Sequence, residues 1–263
     1  MFTLFSIPRP WKGSFETIQR NAVKSWKLLG AELVLIGEEE GTREAADEFG
    51  AIFAPSVERN SKGTPLVSSV FQQATQCASY RMLAYVNSDI ILFSDFSQAV
   101  QLVAEKAGSR PFLMIGGRCD LLLEQELDDF SPLSQLRLLQ QSIRHAPCGL
   151  DYFVFPSGLY DSIPPFAIGR TKWDTWLARR ALSQGRPVVD ATADVIVFHQ
   201  NHTCLLGDAR PKPQLFRGEI ELNHRLYGAA FGNRSFLHTT DATHALVRGQ
   251  FLRNASAGTH PPL

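Results

Sequence analysis

Short uninterrupted apolar runs alternate along this chain with longer stretches in which apolar residues recur every three or four positions. The first pattern marks buried strands and the second amphipathic helices. Phe2–Ile7 is the first run, ended by Pro8, Arg9 and Pro10. Ser14 then caps a predicted helix whose apolar positions Phe15, Ile18, Ala22, Trp26 and Leu29 share a face, with Gly30 as its stop. Further strands are predicted at Ala31–Ile36, Ala51–Ala54, Arg81–Val86 and Phe112–Ile115. Between them lie predicted helices over Arg43–Phe49, from Thr64 and Pro65 to Cys77, and from Ser94 or Asp95 to Gly108. Strand and helix alternating in this way argue for an α/β protein with a Rossmann-like, mostly parallel sheet flanked by helices.

The second half has a different texture. Cys119–Phe130 is acidic and irregular, Leu133–Ile143 reads as an amphipathic helix, and Asp151–Phe155 as a short strand. Gly169–Leu182 begins as a polar turn and becomes a helix, and strands are predicted at Val188–Asp190 and Val195–Phe198. From Leu205 to Leu263 Pro, Gly and Arg are frequent and periodicity is weak, which predicts a lid, an acceptor loop or an adaptable tail. The organisation expected is one unit over residues 1–263, with a nucleotide-binding half at 1–115, an acceptor and metal half at 116–205 and a lid or tail at 206–263.

Composition narrows the function classes. With 263 residues and 44% hydrophobic content the chain can bury a substantial core. Lys plus Arg equals Asp plus Glu at 26 each, so no global field points to nucleic acid or an anionic bilayer, and an anionic ligand must be held by a local site. Cys77, Cys119, Cys148 and Cys204 show neither zinc-knuckle spacing nor a disulfide framework. The opening residues lack a basic n-region, and no apolar run approaches the roughly 20 residues that span a bilayer. A cytoplasmic protein is expected, with peripheral membrane contact still open. No G-x-G-x-x-G follows the first strand and no Walker lysine motif is present, so any phosphates are held another way.

Four polar features stand out against the apolar runs. Asn87, Ser88 and Asp89 end the Arg81–Val86 strand, where open α/β sheets bind ligands, and Asp89 suits a hard divalent cation. A helix cap is the competing use of such an acid. Asp174 stands near the start of a helix between Trp173 and Trp176, where the aromatic faces could carry a carbohydrate and the acid could take a proton from a hydroxyl; helix-end packing is the structural alternative. Asp151 is a third carboxylate, at the mouth of a strand. His199-Gln200-Asn201-His202 follows a strand, and an imidazole there could complete a metal shell begun by Asp89.

On the runs Val86–Ile90, Gly149–Pro156, Ile168–Arg170 through Asp174–Leu177, Val189–Thr192 and His199–His202, the chain resembles the GT-A nucleotide-diphospho-sugar transferases over roughly residues 1–245. The resemblance implies a GT-A fold, a nucleotide-diphosphate sugar as donor, a hydroxyl-bearing acceptor and usually Mn²⁺ or Mg²⁺. It places the D-x-D motif on Asn87-Ser88-Asp89, with Asp89 as metal ligand and Asn87 and Ser88 facing the donor. Asn87 departs from the motif's first acid, which implies weaker metal affinity or a ribose contact. The late metal-binding His falls on His199 with His202 as alternative, and the acceptor-side acid on Asp174 with Asp151 as competitor. The base and ribose pocket is implied around Pro8 and Arg9, the Glu38 to Glu40 cluster, and Arg59 with Thr64. The activity implied is metal-assisted glycosyl transfer; the rivals are a sugar-phosphate nucleotidyltransferase and a non-catalytic sugar-nucleotide-binding protein.

Overall fold

The computed structural model describes residues 1–202, 216–234 and 238–254. Its first elements are β1 (Thr3–Ser6), α1 (Ser14–Lys27), β2 (Glu32–Ile36), α2 (Thr42–Phe49), β3 (Ile52–Ala54), α3 (Val67–Cys77), β4 (Met82–Val86) and β5 (Ile90–Ile91). There follow α4 (Ser94–Ala107), β6 (Leu113–Ile115), β7 (Cys119–Leu121), α5 (Pro132–Gln141), β8 (Ile143–Arg144) and β9 (Tyr152–Pro156). The last are α6 (Trp173–Ser183), β10 (Val188–Asp190), β11 (Phe198–Gln200), α7 (Arg217–Phe231), β12 (His244–Val247) and β13 (Gln250–Arg253).

Nine strands form one sheet in the order β13-β12-β10-β6-β9-β4-β1-β2-β3. Only β9 and the edge strand β13 run against their neighbours; the other pairings are parallel. The period-two alternation of the strands sorts their side chains between two cores. Tyr152 and Val154 of β9 pack with α1, α2 and α4, whereas Phe153 and Phe155 pack with α3, α6 and α7. A second, four-stranded sheet, β5-β11-β7-β8, stands beside the first over its own small core with α5. Its hydrogen bonds run from β11 antiparallel to β5 and parallel to β7.

Four expectations are corrected. The α3 helix starts at Val67, since Pro65 pairs in an isolated bridge with Arg59 and Leu66 is extended. Neither Ser14 nor Ser94 is the cap of its helix; these helices open after Gly13 and Phe93, and Asp95, already inside α4, accepts from the Phe96 amide at 2.9 Å. The late strand lies at Phe198–Gln200, because the two partner strands reach only that far, while Val195 and Val197 are simply buried in the core. Where the weak periodicity after Leu205 gives no sign of regular elements, the described residues of the last third form the α7 helix and the β12–β13 hairpin, which extends the main sheet. Cys204 lies outside the described residues.

Candidate active site

The β4 strand is apolar and buried on both faces between β1 and β9, and it delivers a tight turn at its end. In that turn the Ile90 amide donates to the Asn87 carbonyl at 3.1 Å, which turns the chain into β5 and leaves Asp89 at the corner. Gln200 of β11 fixes the corner from the other side. Fully buried, it donates through its backbone amide to the Asp89 carbonyl at 3.1 Å and through Nε2 to the Ile18 carbonyl at 2.8 Å. Asn21 of α1 in turn donates to Gln200 Oε1 at 3.0 Å. The register pairs His199 with Ile90, so His199 is brought beside Asp89 by strand pairing.

Asp89 Oδ2 lies 3.2 Å from His202 Nε2 and 3.5 Å from His199 Nε2. One ligand atom from each of these three residues falls within 4.8 Å of the others, which is the spacing of a cation site. Burial alone would push the Asp89 carboxyl up, but its hydrogen bonds and charge attraction with His199 and His202 hold it well below the usual range. The other oxygen, Asp89 Oδ1, is buried and finds no hydrogen-bond partner among the described residues. A buried carboxylate oxygen without a partner is costly unless something positive binds it, so this donor set fits a divalent ion. Behind His199, Asp120 Oδ1 accepts at 3.1 Å from Nδ1, which leaves Nε2 as the nitrogen facing Asp89. Asp120 Oδ2 meets His145 Nδ1 at 2.7 Å.

Asp89 lines a cavity of about 610 Å³, a size that suits a small-molecule ligand. Pro8, Arg9, Arg59, Thr64, Asn87, Ser88, Asp151 and Asp174 line it as well. Glu38 does not: it is exposed, and the next residue, Glu39, lines the wall and pairs with Arg59 at 2.9 Å. Asn87 is engaged within the protein, taking the Tyr85 hydroxyl on Oδ1 at 2.9 Å and donating to Asp151 Oδ1 at 2.8 Å.

The three aspartates of the cavity differ in availability. Asp151, buried at 5% exposure, accepts from Arg118 on both oxygens at 2.9 and 2.8 Å and from Asn87, which makes it a counter-ion rather than a ready base. Asp174 has no cationic partner of the kind Asp151 has; it accepts from the Thr175 amide at 2.7 Å and hydrogen-bonds the Thr175 side chain, and desolvation raises its pKa to about 6. The buried Tyr85 hydroxyl feels Asp89, Asp151 and Asp174 together, and burial with these charges pushes its pKa well up. Lys172 directly precedes Trp173 at the start of α6 with φ 86° and ψ −26°. This left-handed backbone costs a residue with a β-carbon about 1 kcal/mol, and it turns Trp173 and Asp174 toward the cavity.

The tryptophans correct a sequence expectation. Trp176 is 4% exposed and packs against Phe166, Tyr160 and Phe231, and Trp173, at 5%, packs on Tyr85 and Phe153. Trp173 lines the cavity, but with both rings this deeply buried neither offers a free face to a sugar. Sequence reasoning also passed over Arg118, Asp120, His145 and Gln200. Apart from the Arg118–Asp120 pair, their partners lie 25 or more positions away, and no local pattern marks them.

No family model matches the chain, and neither does any curated protein. Solved structures do. S. aureus TarS 1–349 in complex with UDP-GlcNAc is similar at a TM-score of 0.51 and 10% identity, over 91% of this chain and 69% of that one. M. tuberculosis glucosyl-3-phosphoglycerate synthase is similar at a TM-score of 0.53 and 14% identity, over 89% of this chain and 82% of that one. The chain has the GT-A fold. A structure of the same synthase in complex with Mn²⁺, UDP and glucosyl-3-phosphoglycerate matches at a TM-score of 0.52 and 15% identity, over 89% of this chain and 81% of that one. At these identities the likeness concerns the GT-A fold alone. No helix among the described residues is long and apolar enough to cross a membrane.

Proposed function

We propose that this protein transfers a sugar from a nucleotide-diphosphate donor to a hydroxyl acceptor with a divalent cation bound by Asp89, His199 and His202. The observation that carries the reading is that three-residue cluster, whose Asp89, with its orphaned Oδ1, lines a ligand-sized cavity in a GT-A fold. When bound, the cation neutralises the donor's diphosphate and stabilises the departing nucleotide. Two imidazoles in the donor set favour Mn²⁺ over Mg²⁺, which prefers oxygen ligands. Because Asn87 is committed to Tyr85 and Asp151, Asp89 supplies the charge that the motif's first acid would otherwise share.

Asp174 takes the proton from the acceptor hydroxyl. Its raised pKa makes it a carboxylate at neutral pH while keeping it a stronger base than an ordinary aspartate. Arg118 holds Asp151 in place, and Asp120 fixes the ring of His199. Pro8, Arg9, Arg59, Thr64 and Ser88 form the donor's wall.

Titration calorimetry with UDP-, GDP-, CMP- and dTDP-sugars, with and without Mn²⁺, tests the reading. One donor should bind only with Mn²⁺, and Asp89→Asn should lose that binding while its circular dichroism stays that of the wild type. Unchanged donor affinity in Asp89→Asn would remove Asp89 from the site, and binding with no hydrolysis or transfer would turn the protein into a sensor or carrier.

A further inference from the structure

The α7 helix buries a polar face. Glu219 and Asn223, one turn apart, are 4% and 0% exposed. Burying an acid and an amide is unfavourable unless every polar atom finds a partner, so their partners show what the helix is for. Glu219 Oε1 accepts from Asn60 Nδ2 at 2.6 Å, and Oε2 accepts from Arg170 Nε at 2.8 Å with Arg170 Nη2 also 2.8 Å away. The Thr64 side chain hydrogen-bonds the same carboxylate. Asn223 accepts from the Ala167 amide at 2.9 Å and donates to the Ala167 and Thr171 carbonyls at 3.0 and 3.1 Å.

These partners belong to two loops, far apart in the chain, that both line the cavity. Asn60 organises the first: its Oδ1 accepts from the Lys62 and Thr64 amides, and Arg59, Lys62, Gly63 and Thr64 line the cavity beside Glu39. Arg170 belongs to the second, which lines the cavity through Ile168, Gly169 and Arg170 and runs on through Lys172 to Asp174. The guanidinium of Arg170 also stacks 3.8 Å above the ring of Phe216, at the start of α7. The segments that follow and precede these loops also pair directly through the backbone, Leu66 with Ala167, the Ile168 amide with the Pro65 carbonyl at 3.0 Å and the Val67 amide with the Phe166 carbonyl at 2.9 Å.

We propose that Glu219 is a positioning residue that locks the donor-side loop around Asn60–Thr64 to the acceptor-side loop around Arg170, so that one buried carboxylate sets the shape of both walls of the substrate cavity. The proposal rests on the glycosyl-transfer reading for what the cavity binds, although the lock itself is a property of the chain alone. Both loops reach the ligand from the same latch, so loosening either one loosens the other. Preorganised walls save the ligand the cost of ordering them.

Amide hydrogen exchange and donor calorimetry with Mn²⁺, run together on the wild type and on Glu219→Gln, test this. Gln keeps the shape and loses the charge that holds Arg170. Exchange should speed up in both loops together, at 60–64 and 167–171, and donor affinity should fall about tenfold or more, the equivalent of one charge-assisted hydrogen bond. Glu221→Gln, which breaks only the exposed pair with Arg217 on the same helix, should change neither. If Glu219→Gln unfolds because Arg170 is left without its counter-charge, the Arg170→Gln/Glu219→Gln double variant carries the same test without an unpaired charge. Exchange that speeds up in only one loop, or in neither, overturns the lock, as does unchanged donor affinity where the wild type binds. A wild type that binds none of the donors overturns the glycosyl-transfer reading instead, and the exchange result alone then decides the lock.

Discussion

Replacing Asp174 by Asn should stabilise the fold while removing transfer activity. The acid is half-buried, and desolvation, with Asp151 adding like charge, raises its pKa from 3.8 to about 6. A shift of about two units makes the ionised group cost the folded state ~3 kcal/mol as a ceiling. Partial exposure to water lowers the working figure to ~1–2 kcal/mol. The sign follows from the folded pKa being the higher one. The folded protein holds this proton more tightly than the unfolded chain, so the stability it contributes is fully present below the unfolded value of 3.8 and is lost as pH rises through about 6.

Asn resembles the protonated acid, cannot ionise and still offers Oδ1 to the Thr175 amide. Thermal unfolding of wild type and Asp174→Asn should therefore coincide near pH 4 and diverge above it, with the variant ahead by ~2–6 °C at pH 7.5. Transfer rates measured on the same samples should fall by two orders of magnitude or more, the usual range for a lost general base being about 10²–10⁴. The wild-type rate should rise with pH through about 6. A melting difference that does not change with pH, or a variant less stable than wild type at pH 7.5, would refute the desolvation argument. Full transfer activity in the variant would refute the base assignment.

Two further predictions concern the cavity wall. Arg118→Leu leaves Asp151 buried without its cation and should cost about 3–5 kcal/mol, read by denaturant unfolding; a loss under about 1 kcal/mol would show that Asn87 alone can hold Asp151. Glu38→Ala should leave donor affinity unchanged by calorimetry, whereas Glu39→Gln, which breaks the pair with Arg59, should weaken it. The reverse result would restore the sequence-based choice of Glu38.

The parts of the fold visible in the sequence are those where apolar burial dictates the pattern. The β4 run Met82–Val86 and the β10 run Val188–Asp190 were legible because central strands are apolar on both faces. The α7 helix was not, because its buried positions are Glu219, Asn223, Tyr227 and Phe231, spaced four apart but half of them polar. Hydrophobic periodicity cannot register a helix that buries hydrogen-bonding groups. Trp173 and Trp176 show the converse limit, since an aromatic pair reads the same whether it faces a sugar or the core. Asp89, His199 and His202 could be nominated one by one, and the structure brings all three together. What joins them is strand register between β5 and β11, with Gln200 and Asn21 holding the corner, and those partners lie 64 and more positions apart: Trp26 donates to Ile90 across 64 residues and Asn21 to Gln200 across 179.

The central claim is that a cation held by Asp89 and the two histidines receives a nucleotide diphosphate. Anomalous diffraction at the manganese edge, from crystals grown with Mn²⁺ and the nucleoside diphosphate of the bound donor, tests it most directly. One peak should appear within bonding distance of Asp89, His199 Nε2 and His202 Nε2, with diphosphate oxygens completing its shell. A diphosphate bound in the cavity with no metal at these residues, or manganese bound elsewhere, would contradict it.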